Sequence, residues 1–207
     1  MKRLLVAEPS FIEIRPIPKN VWPPKWPPFH GGLERIPVGL AERDACYGDP
    51  KVSIGASNRL KVSREYARNL ATVAASRIPN YHRRVYMATK AAPYFIEAMR
   101  RAQEACPDWT PKRIGCFNPR RMRHSSDPRT PLSDHTYGIA FDIDSGQNRA
   151  WSRKKHPERP QPFKEGWDEF SDIPEGVVLA FESVGFEWGG RWKSYIDPHH
   201  FSLRKVK

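Results

Sequence analysis

Between Gly138 and Asp144 the chain alternates. Ile139, Phe141 and Ile143 fall on one side of an extended segment, and Ala140, Asp142 and Asp144 fall on the other. Successive strand side chains point to opposite faces, so this period of two predicts a strand with one apolar and one polar face. A helical period governs 92–105, APYFIEAMRRAQEA, where Phe95, Ile96, Met99 and Ala102 make one stripe behind Pro93 at the first helical position. Helices are also predicted over 38–47, closed by Gly48 and Pro50, and over 173–185, closed by Gly185. In 63–78, SREYARNLATVAASRI, a Ser63 cap precedes Tyr66, Leu70, Val73 and Ile78 at near-helical spacing, and a further helix is expected. RIGCFNP, 113–119, reads as a strand running into a basic loop, 145–172 as a charged loop, and GFEWGGRW and HHFSL as short closing strands.

Helices interleaved with short strands and tight turns predict an α+β fold, a small antiparallel sheet with packed helices. The segment WPPKWPP favours polyproline II, so residues 1–30 are expected to form a proline-rich N-terminal arm and 31–207 a single domain. At 207 residues the chain can bury one substantial core. Hydrophobic residues are only 39%, but seven Trp, seven Tyr and ten Phe compensate because each aromatic buries a large area. Three cysteines without a CxxC pair argue against a disulfide framework or a structural zinc cluster.

The net charge of +12 favours polyanionic surroundings: nucleic acid, anionic membrane surfaces or phosphate-bearing wall polymers. It is unevenly spread, with Lys112, Arg113, Arg120, Arg121, Arg123 and Arg129 set against only Asp127 in 112–129. No zinc-finger, RRM or helix-turn-helix signature accompanies the charge, so a specific nucleic-acid role is not expected. MKRLLVAEPSF has too short an apolar run for a secretory signal, and no stretch could span a membrane; synthesis in the cytoplasm without a Sec signal is expected.

The polar face of the 138–144 strand carries the candidate chemistry. Ala140 leaves room beside Asp142, and Gly138 permits a turn that returns His135 toward the same face. In the last strand Phe201 and Leu203 share one face, which leaves His200 and Ser202 on the polar one and His199 on the apolar one. His135, Asp142 and His200 thus form a candidate set of two imidazoles and one carboxylate, with an open fourth position that suits catalytic zinc. Asp197, kept off the strand by Pro198, would lie beside the metal as a proton-transferring base.

SDHTYGIAFDID resembles the S-x-H-x-x-G-x-A-x-D signature of the zinc D-Ala-D-Ala peptidase (LAS metallopeptidase) family, which shares the hedgehog fold. EWGGRWKSYIDPHHF resembles the W-G-G-x-W-K-x-x-x-D-x-x-H-F block of its phage-endolysin branch, the L-alanyl-D-glutamate endopeptidases. The resemblance covers about 85–207. It implies Zn2+ on His135, Asp142 and His200, Asp197 as catalytic base, Ser133 as a substrate-side serine, and an arginine at Arg120 or the adjacent Arg121 facing substrate or the developing oxyanion. Arg191 departs from the acidic residue common between WGG and WK.

The expected function is therefore a zinc peptidase cleaving bacterial peptidoglycan stem peptides in a phage or prophage lysis setting. It would be monomeric and held near anionic cell-wall polymers by its basic surface. The alternatives are a D,D-carboxypeptidase or dipeptidase on the same scaffold, and a non-catalytic envelope-binding protein that keeps the fold.

Overall fold

A computed structural model of the chain describes residues 24–55, 59–159 and 171–205. The expectations for residues 1–23, and for 160–170 of the charged loop, lie outside the described residues. The fold is mixed α+β. In chain order it runs α1 Gly39–Tyr47, β1 Ser53–Ile54, β2 Leu60–Lys61, β3 Leu70–Val73, β4 Val85–Ala88, α2 Ala92–Ala105, β5 Ile114–Gly115, α3 Asp134–Tyr137, β6 Ala140–Ile143, β7 Trp151–Ser152, α4 Glu175–Ser183, β8 Glu187–Trp188, β9 Tyr195–Ile196 and β10 His200–Ser202. An antiparallel sheet in the order β5-β6-β10-β8 is the centre, and two-stranded ribbons β1-β2, β3-β4 and β7-β9 lie around it.

The alternation in 138–144 resolves as predicted: Phe141 and Ile143 are fully buried while Asp142 remains partly open. Helices α2 and α4 pack against each other and join the apolar side of the sheet. Phe95 of α2 stacks on Phe141 with ring centroids 4.5 Å apart, and Phe181 of α4 lies 4.6 Å from Phe201. Phe186 completes the cluster against Phe141 and Phe181. Full burial of each such ring contributes about 1.5–3 kcal/mol, so this cluster is what the low apolar fraction is concentrated on. Trp188 is also buried, and its Nε1 donates to the Pro198 carbonyl at 2.7 Å, which keeps its polar edge satisfied.

The helix expected over 63–78 does not form. Ser63 caps one turn only: its carbonyl accepts from Ala67 N and its Oγ from Tyr66 N, each at 3.0 Å. The chain then extends as β3 and pairs with β4, Thr72 opposite Tyr86 and Val73 opposite Val85. Leu70, Ala71 and Val73 are buried while Thr72 is exposed. The spacing of Leu70 and Val73 suits one helical face, but pairing with β4 and the β-branched Thr72 and Val73 decide for a strand. The strand expected over 113–119 shortens to Ile114–Gly115: the amides of Lys112 and Arg113 are taken by the Asp144 carboxylate on one side, and past Gly115 the Cys116 carbonyl and the Asn118 amide bond to His135 instead of a strand partner.

Residues 24–29 run along α2. Trp26 Nε1 donates to Glu104 at 2.9 Å, and Arg101 donates to the Pro27 carbonyl at 2.9 Å. Phe29 meets Tyr94 edge-on at 5.3 Å.

Candidate active site

The site starts from one turn of helix. Ser133 caps α3, its Oγ accepting from the His135 amide, and Gly138 ends the turn in the left-handed region at φ 69°. A Cβ at Gly138 would stand 2.8 Å from the Ala88 amide nitrogen, so both the backbone sign and the space require glycine. The turn aims the His135 ring, which is 2% exposed, across the sheet. Its Nδ1 donates to the Cys116 carbonyl at 2.7 Å, which fixes the tautomer and leaves Nε2 as a lone pair. That Nε2 is buried without a hydrogen-bond partner, 3.1 Å from Asp142 Oδ1. A lone pair held against a carboxylate is unfavourable unless a cation lies between them, so the pocket's own chemistry fits a metal.

The other side is set by the sheet. In the β6–β10 register His200 lies directly opposite Asp142, and its Nδ1 is 3.0 Å from the same Oδ1. Donor atoms of His135, Asp142 and His200 all lie within 4.8 Å of one another, a group that could hold a metal ion. Two donors on a tetrahedral ion with bonds near 2.0–2.1 Å would be about 3.3 Å apart, so the two short contacts are close to a ligand spacing without rearrangement. Burial pushes the Asp142 carboxyl up, but hydrogen bonds and charge from His135 and His200 in their protonated forms outweigh it and hold the group well below the usual carboxylate range. Burial also lowers His200, yet Asp142 and then Asp197 raise it above its ordinary value. The cluster thus favours cationic charge at its centre.

Asp197 sits in the turn before β10. Its amide donates to the Gly189 carbonyl at 3.1 Å, and its carbonyl accepts from His200 N at 3.1 Å. A Cβ on Gly189 would come within 2.6 Å of the Asp197 carbonyl oxygen, which explains the glycine in WGG. The carboxyl is raised above its ordinary value by burial, with His200 and His199 opposing. The strand-parity reading of His199 needs correction. Its Nδ1 hydrogen-bonds the Asn148 carbonyl at 2.6 Å, and its Nε2 lies 3.1 Å from Asp197 Oδ1 and 3.8 Å from Asp142 Oδ1. The alternation does not reach back past His200, where β10 begins, so His199 belongs to the turn and to the site's margin.

Arg120 is pinned to the same helical turn by its backbone. Its amide donates to Thr136 Oγ1 at 2.8 Å, and its carbonyl accepts from that hydroxyl at 2.7 Å and from Ser133 N at 2.9 Å. Arg121 instead spends its guanidinium on the Thr130 carbonyl at 2.7 Å. Ser133 is 5% exposed and engaged as the cap, a role that the motif alone did not suggest. Sequence reading passed over His124. Burial lowers its pKa, and the charges of Arg120 and His135 lower it further, which puts it in electrostatic reach of both. Arg191 pairs with Glu182 of α4.

A buried His–Asp–His group that could hold one ion, with a further acid beside it, is the layout of a metal-dependent hydrolase. The comparison with known families is narrower: a family model described as D-alanyl-D-alanine carboxypeptidase matches residues 126–203, a segment that contains His135, Asp142, Asp197 and His200. On that match the chain is a peptidase. No solved structure gives a significant match.

The geometry separates the two adjacent histidines experimentally. His200→Ala should lower the zinc content of purified protein sharply, whereas His199→Ala should retain about one ion per chain, measured by elemental analysis after dialysis. Zinc retention in His200→Ala with loss in His199→Ala would reverse the assignment.

Proposed function

We propose that this chain is a zinc metallopeptidase that hydrolyses a stem-peptide bond of bacterial peptidoglycan, as an endolysin-type L-alanyl-D-glutamate endopeptidase. We further propose that residues 31–207 act as a single domain. The observation that carries the reading is the convergence of His135 Nε2, Asp142 Oδ1 and His200 Nδ1, with the Asp197 carboxylate beside them. Two imidazoles and one carboxylate suit the borderline-soft Zn2+ and leave room for substrate. A zinc ion bound there supplies a Lewis acid that polarises the scissile carbonyl and acidifies water.

The chain's own groups do the rest. Asp197 is the acid whose pKa burial raises, which suits a group that accepts a proton and later returns it. It takes a proton from the attacking water as oxygen bonds to the carbonyl carbon. When the C–N bond breaks, it delivers that proton to the leaving amine. His199, anchored through Nδ1 on the Asn148 carbonyl, keeps its Nε2 on the Asp197 side. Arg120 has a fixed backbone and, among the described residues, no hydrogen bond or ion pair on its guanidinium, so it is the arginine assigned to the oxyanion. Ser133 serves the site by capping the His135 turn.

The D-x-x-H-F ending supports the endopeptidase branch, while the description of the matching family supports a D,D-carboxypeptidase. Digestion of purified peptidoglycan separates the two. An endopeptidase at L-Ala–D-Glu releases peptides with a new D-Glu N-terminus, and a carboxypeptidase releases free D-alanine. Chelator should abolish either activity and zinc should restore it. Asp197→Asn should keep zinc and fold yet lose roughly 10²–10⁴-fold in rate. A wild-type rate in that variant would remove Asp197 from the mechanism.

The basic surface is proposed to hold the enzyme on anionic wall polymer. Lys112, Arg113 and Arg123 are exposed, whereas Arg129 is already paired with Asp127 at 3.0 Å. Activity on intact sacculi should fall as ionic strength passes about 0.15 M, where the Debye length is about 8 Å, while cleavage of a short soluble stem peptide should change far less. Lys112→Gln with Arg123→Gln should mimic the salt effect. Equal salt dependence on both substrates would eliminate the steering role.

A further inference from the structure

Behind His135 lies a second cluster of charges that takes no part in the chemistry above. Asp134 is 4% exposed and sits between two buried arginines, Arg43 of α1 at 2% and Arg204 after β10 at 6%. Arg204 Nε donates to both carboxylate oxygens at 3.0 and 2.9 Å, and its Nη2 is 2.8 Å from Oδ2. Arg43 Nη1 reaches Oδ1 at 3.1 Å and also the Leu132 carbonyl at 2.7 Å. Its Nη2 donates to the Tyr137 hydroxyl at 3.0 Å, and its Nε to Asp44 at 2.9 Å. Ser202 Oγ, from β10, donates to Asp134 Oδ2 at 2.8 Å. One carboxylate therefore ties α1, the turn that carries His135 and the end of the strand that carries His200.

Burying charges in this way gains little stability over a well-packed apolar cluster, because each ion loses its water. What the arrangement gives is direction. Arg43 grips the chain just before α3 through Leu132, the first residue of α3 through Asp134 and its last through Tyr137, so the turn has one orientation relative to the sheet. Both arginines lie outside the 126–203 segment that the family match covers. Neither is visible as a site residue from the metal motif.

We propose that Arg43 and Arg204 are positioning residues that, through Asp134, hold His135 and His200 at metal-binding separation. The site would then be preorganised by a segment near the chain's beginning. This rests on the metal-binding reading of His135, Asp142 and His200, and its test keeps the two apart. Groups that orient metal ligands from behind change metal affinity by roughly 10–100-fold when altered.

The experiment measures Zn2+ affinity by competition with a chromophoric chelator, together with the melting temperature of the metal-free and zinc-loaded protein. Wild type, Arg43→Met, Arg43→Lys and Asp134→Asn are compared. A purely structural clamp would lower the metal-free melting temperature and leave zinc affinity unchanged in every folded variant. A positioning clamp should weaken zinc binding at least tenfold in Arg43→Met and Asp134→Asn, and shrink the rise in melting temperature that zinc produces. Arg43→Lys keeps the charge but cannot make the forked contacts to Leu132, Asp134 and Tyr137. It should fold and still bind zinc more weakly than wild type, which decides the question if the other two fail to fold. Wild-type zinc affinity in Arg43→Lys, or in either of the other variants if folded, overturns the proposal. Failure of the wild-type protein itself to bind zinc would instead overturn the metal site on which it rests.

Discussion

The antiparallel register between β6 and β10 puts His200 directly opposite Asp142, and the site is assembled around that pair. Strand side chains alternate, so a slip of one residue would turn His200 into the core and bring Phe201 to the polar face. The register is protected from the apolar side. Phe141 opposes Phe201, and both are buried among Phe95, Phe181 and Phe186. The same packing that supplies the core's free energy therefore fixes the spacing of two candidate ligands. The third, His135, comes from a single helical turn. Its direction depends on a serine cap, a left-handed glycine and a carbonyl on β5's exit rather than on the sheet itself.

The two faces of this sheet carry opposite physical demands. On one, aromatic rings exclude water from Phe141 and Phe201. On the other, the buried His135 Nε2 faces the Asp142 carboxylate at 3.1 Å, a pair that a shared cation, proton or metal, satisfies. A folded protein rarely leaves such an atom unsatisfied without a use for it. The charge imbalance is local, and a cation bound between these groups would compensate it. Asp197 stands beside this centre with its carboxyl raised, so neighbouring acids with opposite pKa shifts occupy one site. Environments that drive two carboxyls apart are a recurrent basis for dividing roles between them.

Much of this was legible in the residues because it rests on short-range rules. The period of two in GIAFDID and the helical stripe of 92–105 each gave the right element, the latter to its observed bounds, Ala92–Ala105. The glycine of the first motif marked the turn at Gly138, whereas the close approach at Gly189 shows only in the fold. What failed was decided by distant partners. Nothing within 63–78 reveals that Leu70–Val73 will find Val85–Ala88, and local spacing alone favoured a helix there. His199 was misjudged because parity was extended past the end of the strand into the Asp197 turn. The arginine clamp was invisible for the same reason: Arg43 and Asp134 are 91 positions apart, and only the fold brings them together.

Two imidazoles and one carboxylate, with no sulfur, are proposed to bind a metal here. Cys116 offers the alternative ligand to test against, because its buried thiol lies within electrostatic reach of Asp142 and its carbonyl holds His135. X-ray absorption at the zinc edge of protein loaded with one equivalent of Zn2+ examines the coordination directly. Only nitrogen and oxygen neighbours are expected at about 2.0–2.2 Å, with outer-shell scattering from two imidazole rings. A sulfur neighbour near 2.3 Å, or fewer than two imidazoles, would contradict that ligand set.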